Sequence, residues 1–263
     1  MNRTWEDYFT AACPRVMGII NLTPDSFHAP SRQDAAVRDE LSRRILAMVD
    51  QGADMLDLGA ESSRPGADFV PEDEEVRRLI PAVRLARSLC DLPISIDTRR
   101  ATVARQALEC GADIINDISA GREDNQAMLR LAAEKAVPLV LMHMQGEPRT
   151  MQLSPEYRDV VAEVLDFLRD RLASAETLGV RHVLVDPGIG FGKNLEHNLR
   201  LLASIDRIAA LGRPVLIGHS RKTFLGKILA GKDANGELID RPVDGRLAGG
   251  LGAAVWSALQ GAA

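Results

Sequence analysis

No apolar run in the sequence is long enough to cross a bilayer. The longest, such as Val137–Met142, span a handful of residues, where a membrane helix needs about 20. An apolar signal core is also missing: Met1–Thr10 carries Glu6 and Asp7, so no secretory leader is expected. Cysteine is scarce. Cys13, Cys90 and Cys110 are odd in number and widely spaced, with no C-x-x-C pair. That excludes a disulfide framework and a zinc-finger spacing, and leaves reduced thiols in a cytoplasmic protein as the expectation. Nor is positive charge in excess. The 32 Lys and Arg against 37 Asp and Glu give a net charge of −5. This argues against a broad nucleic-acid surface, though not against a small cationic pocket.

What is present is an ordinary globular balance, 46% apolar and 26% charged over 263 residues. It excludes a disordered chain, a collagen and a coiled coil, and it suits one large domain over residues 1–263. Short aliphatic runs recur at Val16–Ile20, Met55–Leu58, Pro93–Ile96, Asp113–Asn116, Val137–Met142, His182–Val185 and Pro214–Ile217. None alternates apolar with polar, so each reads as a strand buried on both faces. Between them, Val37, Leu41, Ile45 and Met48 repeat at helical spacing, as do Val160, Val164, Leu168 and Leu172, and Leu201, Ile205 and Ile208. A further helix is expected around Arg246–Leu259. Strand then helix, repeated about seven times, means parallel βα units in a doubly wound sheet or a barrel. The echo of Gly52-Ala53-Asp54 in Gly111-Ala112-Asp113 marks a repeated helix-ending glycine before a strand and favours the barrel. Gly261-Ala262-Ala263 carries the same signal.

Each inferred strand closes on polar residues: Asn21, Asp57, Asp97, Asn116 with Asp117, His143, Asp186, and His219 with Ser220. In a parallel barrel these ends open on one face, where the site is expected. Carboxylates and amides there suit a ligand rich in N–H donors, or a divalent cation. Phosphate would need the cations of Ser62-Ser63-Arg64-Pro65-Gly66 and of Ser220-Arg221-Lys222, the latter opening a helix. Gly188-Ile189-Gly190-Phe191-Gly192-Lys193-Asn194 fails as a P-loop, in spacing and in its final Asn. His143, His197 and His219 lack metal-ligand spacing. Glu72–Glu75 reads as an acidic helix start, and Gly231–Leu238 as a mobile surface excursion rich in turn formers.

Seven segments in order resemble the signatures of dihydropteroate synthase. They are Met17-Gly18-Ile19-Ile20-Asn21-Leu22-Thr23-Pro24-Asp25-Ser26-Phe27, Gly59-Ala60-Glu61-Ser62-Ser63-Arg64-Pro65-Gly66, Ser95-Ile96-Asp97-Thr98 and Ile115-Asn116-Asp117-Ile118, followed by Leu141-Met142-His143-Met144, Asp186-Pro187-Gly188-Ile189-Gly190-Phe191 and Ser220-Arg221-Lys222-Thr223-Phe224. The resemblance implies an α/β fold, a (β/α)8 TIM barrel. It implies an enzyme that condenses 6-hydroxymethyl-7,8-dihydropterin diphosphate with 4-aminobenzoate in folate synthesis, a family targeted by sulfonamides. It further implies that Asp97, Asn116 and Asp186 hold the pterin's N–H groups and Lys222 its acceptor side. Met142 and Phe191 would supply apolar surface, and Thr23, Pro24, Ser63, Arg64 and Ser220 would shape the aminobenzoate end. Asp57, Gly190 and Arg221 complete the implied substrate-binding set, and Asp97, Lys222 and Arg64 are the implied catalytic residues. Asn21 would ligate the Mg²⁺ that carries the diphosphate, and a homodimer through the late helices is implied.

The sequence departs from the family in its first loop, at its end, and at Ser63, which stands where Thr is commoner and keeps the hydroxyl. His28-Ala29-Pro30-Ser31-Arg32 replaces a glycine-bearing stretch, which stiffens that loop and offers Arg32 as an anion contact. The family's eighth strand, with its Arg-x-His motif, and the last helix are absent, so a C-terminally short barrel is expected. The alternatives are a catalytically impaired pterin-binding module of the same fold and a pterin-dependent methyltransferase domain. The Asn-Leu-Thr-Pro-Asp-Ser-Phe and Ser-Arg-Lys motifs weigh against the second of these.

Overall fold

The computed structural model describes residues 4–9, 13–22, 35–62, 69–233 and 235–263. Six parallel strands form one sheet: β1 (Met17–Asn21), β2 (Met55–Gly59), β3 (Ile94–Asp97), β4 (Ile114–Asp117), β5 (Leu139–Met142) and β6 (Val183–Asp186). Their spatial order is their chain order, β1-β2-β3-β4-β5-β6. A doubly wound sheet reverses direction at a switch point; this one never does, so the order is that of a barrel. The run Pro214–Ile217, expected as a seventh full strand, is reduced to one parallel bridge between Val185 and Val215. Val185 N–H donates to Pro214 O at 3.0 Å and Leu216 N–H to Val185 O at 2.9 Å, so the segment continues the sheet in order.

Alternation along each strand creates two apolar faces. Outward, Ile20, Leu56, Leu58, Ile94, Ile96, Ile115, Leu139, Leu141, Val183 and Val185 join the core under the helices. Inward, Met55, Ile114, Val140 and Leu184 pack with Phe9, against Met17, Leu216, Trp5 and Tyr8. The helix α1 (Trp5–Phe9), which periodicity does not reveal, thus plugs the inner face at the strands' N-terminal end. Tyr8 Oη donates to Asp54 O at 2.6 Å and fastens the plug. Farther along the strands the same inward parity turns polar.

The helices α2 (Ala35–Asp50), α3 (Glu72–Leu89), α4 (Ala101–Glu109), α5 (Ala127–Lys135) and α6 (Val160–Thr177) follow the strands as expected. The 201/205/208 spacing, read as one helix, is two: α7 (Leu195–Leu202) and α8 (Ile205–Ala209). Ser204 breaks the helical ladder between them, while Leu201, Ile205 and Ile208 still reach one core. The remaining helices are α9 (Thr223–Ile228) and α10 (Leu247–Leu259). The excursion after α9 is a short antiparallel hairpin of β7 (Gly231–Lys232) and β8 (Leu238–Ile239), exposed throughout its strands.

The repeated Gly-Ala-X signal has one geometry three times. Gly52, Gly111 and Gly261 have φ of +88°, +107° and +99°, values that favour glycine. The next residue donates back into the helix: Ala53 to Met48 O, Ala112 to Ala107 O and Ala262 to Ser257 O, each at 3.0 Å. The third then reaches the neighbouring strand segment: Asp54 N–H to Val16 O, Asp113 N–H to Ile94 O and Ala263 N–H to Val215 O. Among the described residues the parallel sheet has six strands, β1 to β6. No described helix is long and apolar enough to cross a membrane.

Candidate active site

The inward, C-terminal ends of the strands bring most of the expected residues to one place. Asn21 ends β1, Asp57 lies in β2, Asp97 ends β3, Asn116 lies in β4, Met142 ends β5 and Asp186 ends β6. Asp57 is buried, accepting from Ser95 Oγ at 2.6 Å and from Asn116 Nδ2 at 3.4 Å. Register explains the reach: Ser95 pairs with Asp57 and Asp97 with Asn116, so β2, β3 and β4 present these side chains on one face. Ser95 was not singled out from the sequence; its parity with Asp97 is the signal that finds it. Gly59 leaves the space Asp97 needs, since a Cβ there would lie 3.2 Å from the Asp97 Cβ.

Asp186 Oδ1 accepts from the Gly188 N–H at 2.6 Å. Beside it, Lys222 is the N-cap residue of α9 and donates to Ile189 O. Its ammonium lies 4.3 Å from the centroid of the Phe191 ring, a cation–π distance. Two glycines admit Lys222. A Cβ on Gly190 would lie 2.8 Å from its Cδ, and one on Gly218 would lie 3.7 Å from Nζ and 4.0 Å from Asp186 Oδ2. Met142 joins Ile118, Met144 and Met151 in an apolar wall against Phe191. Ser220 and Arg221 are exposed on the turn before α9, with Arg221 at φ +57°. Thr23, Pro24, Arg32, Ser63 and Arg64 lie outside the described residues.

Burial governs the electrostatics. It raises the carboxyls of Asp57, Asp97 and Asp186 above their ordinary range. Asp97 is pushed farthest, because Asp57, Glu75, Asp117 and Glu61 add negative charge around it. Burial likewise lowers Lys222 to about 8, against the pull of Asp186 and Asp97. Behind Asp97, the wholly buried Glu75 accepts from Thr98 Oγ1 at 2.6 Å and pairs with Arg100. The acidic start of α3 therefore supplies a buried network partner as well as a charge for the helix dipole.

Three polar strand ends expected in the ring are placed elsewhere. Asp117 has outward parity and accepts from the Ser119 and Gly121 N–H groups, both at 2.7 Å. His143 faces Lys193 Nζ at 3.0 Å. His219 meets Gly250 O of α10 through Nε2 at 2.9 Å. Each is engaged by a partner outside the ring of Asp57, Asp97, Asn116 and Asp186.

The profile of a family described as pterin binding enzyme matches residues 17–263, which spans all of the geometry above. The chain belongs to the pterin binding enzyme family. It is 41% identical to the dihydropteroate synthase of Haemophilus influenzae over 251 residues, covering 95% of this chain and 86% of that one. Dihydropteroate synthase of Xanthomonas albilineans with 4-aminobenzoic acid superposes at a TM-score of 0.82, with 41% identity over 95% of this chain and 86% of that one. That of Thermus thermophilus in complex with 6HMPPP superposes at 0.76, with 40% identity over 95% and 86%. The chain thus shares its barrel-type α/β fold with these dihydropteroate synthases, and it is a transferase of that family.

Proposed function

We propose that the chain acts as a single domain that condenses 6-hydroxymethyl-7,8-dihydropterin diphosphate with 4-aminobenzoate, giving 7,8-dihydropteroate and diphosphate. One observation carries this reading. Asp97, Asn116, Asp186 and Lys222 converge at the C-terminal face of the strands, in a chain 41% identical to a dihydropteroate synthase over 95% of its length. A pterin offers a row of N–H donors and a few acceptors. Buried carboxylates and an amide meet the donors, and the Lys222 ammonium meets an acceptor. Ligand N–H groups favour the ionised carboxylates, opposing the burial that raises them.

The reaction follows from the same groups. The bond from the pterin methylene carbon to the diphosphate oxygen breaks, and positive charge spreads into the ring. Asp97, ionised against that charge, stabilises it. The neutral amine of aminobenzoate forms the new C–N bond, and its surplus proton leaves to solvent, so no strong protein base is required. Met142 and Phe191 exclude water from the reacting carbon. Gly190, Arg221 and Ser220 border the substrates, and Thr23, Pro24, Ser63 and Arg64 are assigned to the aminobenzoate end by the family resemblance.

A Mg²⁺ ion fits the donor set. No group of three or more His, Cys, Asp or Glu among the described residues could hold a metal. The amide oxygen of Asn21 at the end of β1 and the diphosphate itself match the sparse protein ligation typical of Mg²⁺. When bound, the ion neutralises charge on the leaving diphosphate. We further propose a cytoplasmic homodimer. The free thiols of Cys13, Cys90 and Cys110 suit a reducing compartment. The exposed Leu247, Leu251, Val255 and Leu259 along α10 suit a second copy.

The deciding experiment supplies both substrates and Mg²⁺ and follows dihydropteroate by chromatography, beside equilibrium binding of the pterin. Product formation supports the reading. Binding without turnover favours an impaired pterin-binding module, and neither overturns both.

A further inference from the structure

The glycine-rich stretch that fails as a P-loop ends in a lysine that the proposed reaction leaves unused. Lys193 is only 3% exposed, which is rare for a lysine. Its Nζ lies 3.0 Å from His143 Nδ1, 3.3 Å from His143 O and 2.9 Å from Phe191 O. An ammonium has three N–H bonds and no lone pair. All three are directed at protein acceptors, so none is left for substrate. Burial lowers the Lys193 ammonium to about 7; below that pH it can only donate, so His143 then presents a bare Nδ1 and carries its proton on Nε2.

The three acceptors belong to two segments that meet at the site. His143 follows β5; Phe191 sits in the loop between β6 and α7. That loop lies flat on residues 143–145. A Cβ on Gly188 would overlap the His143 carbonyl oxygen, and one on Gly192 would come within 2.5 Å of Gln145 O. The opposite side of the loop forms the Lys222 pocket through Ile189 O and the Phe191 ring. The Asn198 side chain and Tyr157 Oη also brace the loop, at Gly190 N and Gly192 O. Met142 meets Phe191 by apolar contact; among the described residues, Lys193 supplies the hydrogen bonds that join Phe191 O to His143 after β5.

We propose that Lys193 is a positioning residue for the pterin pocket: it ties the end of β5 to the β6–α7 loop and so holds Phe191 and Lys222 in place without touching substrate. The proposal rests on the functional reading above. It predicts that the tie depends on a hydrogen-bond acceptor at the Nδ1 position of His143, which ordinary packing at this spot would not.

The test uses the full chain. Lys193→Met should bind the pterin about ten-fold more weakly, as expected when a group that positions others is lost, and its near-UV and far-UV dichroism should match the parent. His143→Leu should show the same loss, while His143→Asn, whose Oδ1 can stand for Nδ1, should restore most of the affinity. Combining Lys193→Met with His143→Leu should add little to either. In the unsubstituted chain below the Lys193 transition at about 7, ¹⁵N NMR of the imidazole should report Nδ1 unprotonated. Unchanged pterin affinity in folded Lys193→Met, equal affinities for His143→Asn and His143→Leu, or a protonated Nδ1 would each overturn the proposal. Should Lys193→Met not fold, the His143 pair and the NMR measurement decide. A parent chain that binds pterin without turnover fails the functional reading alone, since these readouts need no turnover.

Discussion

The Ser95 hydroxyl donates a 2.6 Å hydrogen bond to Oδ1 of Asp57 inside the parallel sheet, on the face that also carries Asp97. The bond favours the ionised form of Asp57 against the burial that raises it. Ser95→Ala should therefore destabilise the fold by about 1.5–3 kcal/mol, the scale for a hydrogen bond to a charged group. The cost should be larger above the raised pKa of Asp57 than below it, where the carboxyl is neutral. Urea unfolding at two pH values on either side of the transition measures this; equal costs at both would contradict it.

Asp97→Asn removes the charge proposed to face the developing cation and keeps the side-chain shape. Turnover should fall by about a hundred-fold or more, the scale for a lost electrostatic stabiliser. The KM for aminobenzoate should stay within about three-fold, because that substrate does not meet the carboxylate. Steady-state kinetics with each substrate varied separates the two effects.

Lys222 titrates at about 8, so its charge is present below that pH and lost above it. The kcat/KM for the pterin should fall on an alkaline limb near pH 8. Lys222→Arg should push that limb out of range, because a guanidinium does not deprotonate there, at some cost in rate. A limb unmoved in Lys222→Arg would assign it to another group.

Gly190 has φ +84°, and a Cβ on it would lie 2.8 Å from Lys222 Cδ. Gly190→Ala meets both problems. The left-handed backbone costs about 1–2 kcal/mol, and the methyl displaces the lysine stem. The pterin kcat/KM should drop by about ten-fold or more with the fold intact, read as kinetics beside a thermal melt.

Arg100→Met leaves Glu75, wholly buried, without its cation. Breaking a buried pair in this way costs about 3–5 kcal/mol. Denaturant unfolding should show the loss, and Glu75→Gln in the same chain should recover part of it.

The sequence by itself determined the βα alternation, most element positions and the family. These depend on local information: runs of aliphatic residues, helical spacing, helix-ending glycines and ordered motifs such as Ser220-Arg221-Lys222. Only the tertiary structure decided which polar strand ends enter the site. Asn116 and Asp117 are adjacent in β4, yet alternation turns one toward Asp57 and the other toward the Ser119 and Gly121 amides. His143 and His219 resemble ring members in sequence, but each is engaged by a partner 50 and 31 residues away, Lys193 and Gly250. The segment Pro214–Ile217, read as a seventh strand, pairs with β6 through one bridge, and the extent of pairing depends on a neighbour that no aliphatic run can show. Register across strands, not spacing along them, puts Ser95 on Asp57 and brings Asp97 beside Asn116.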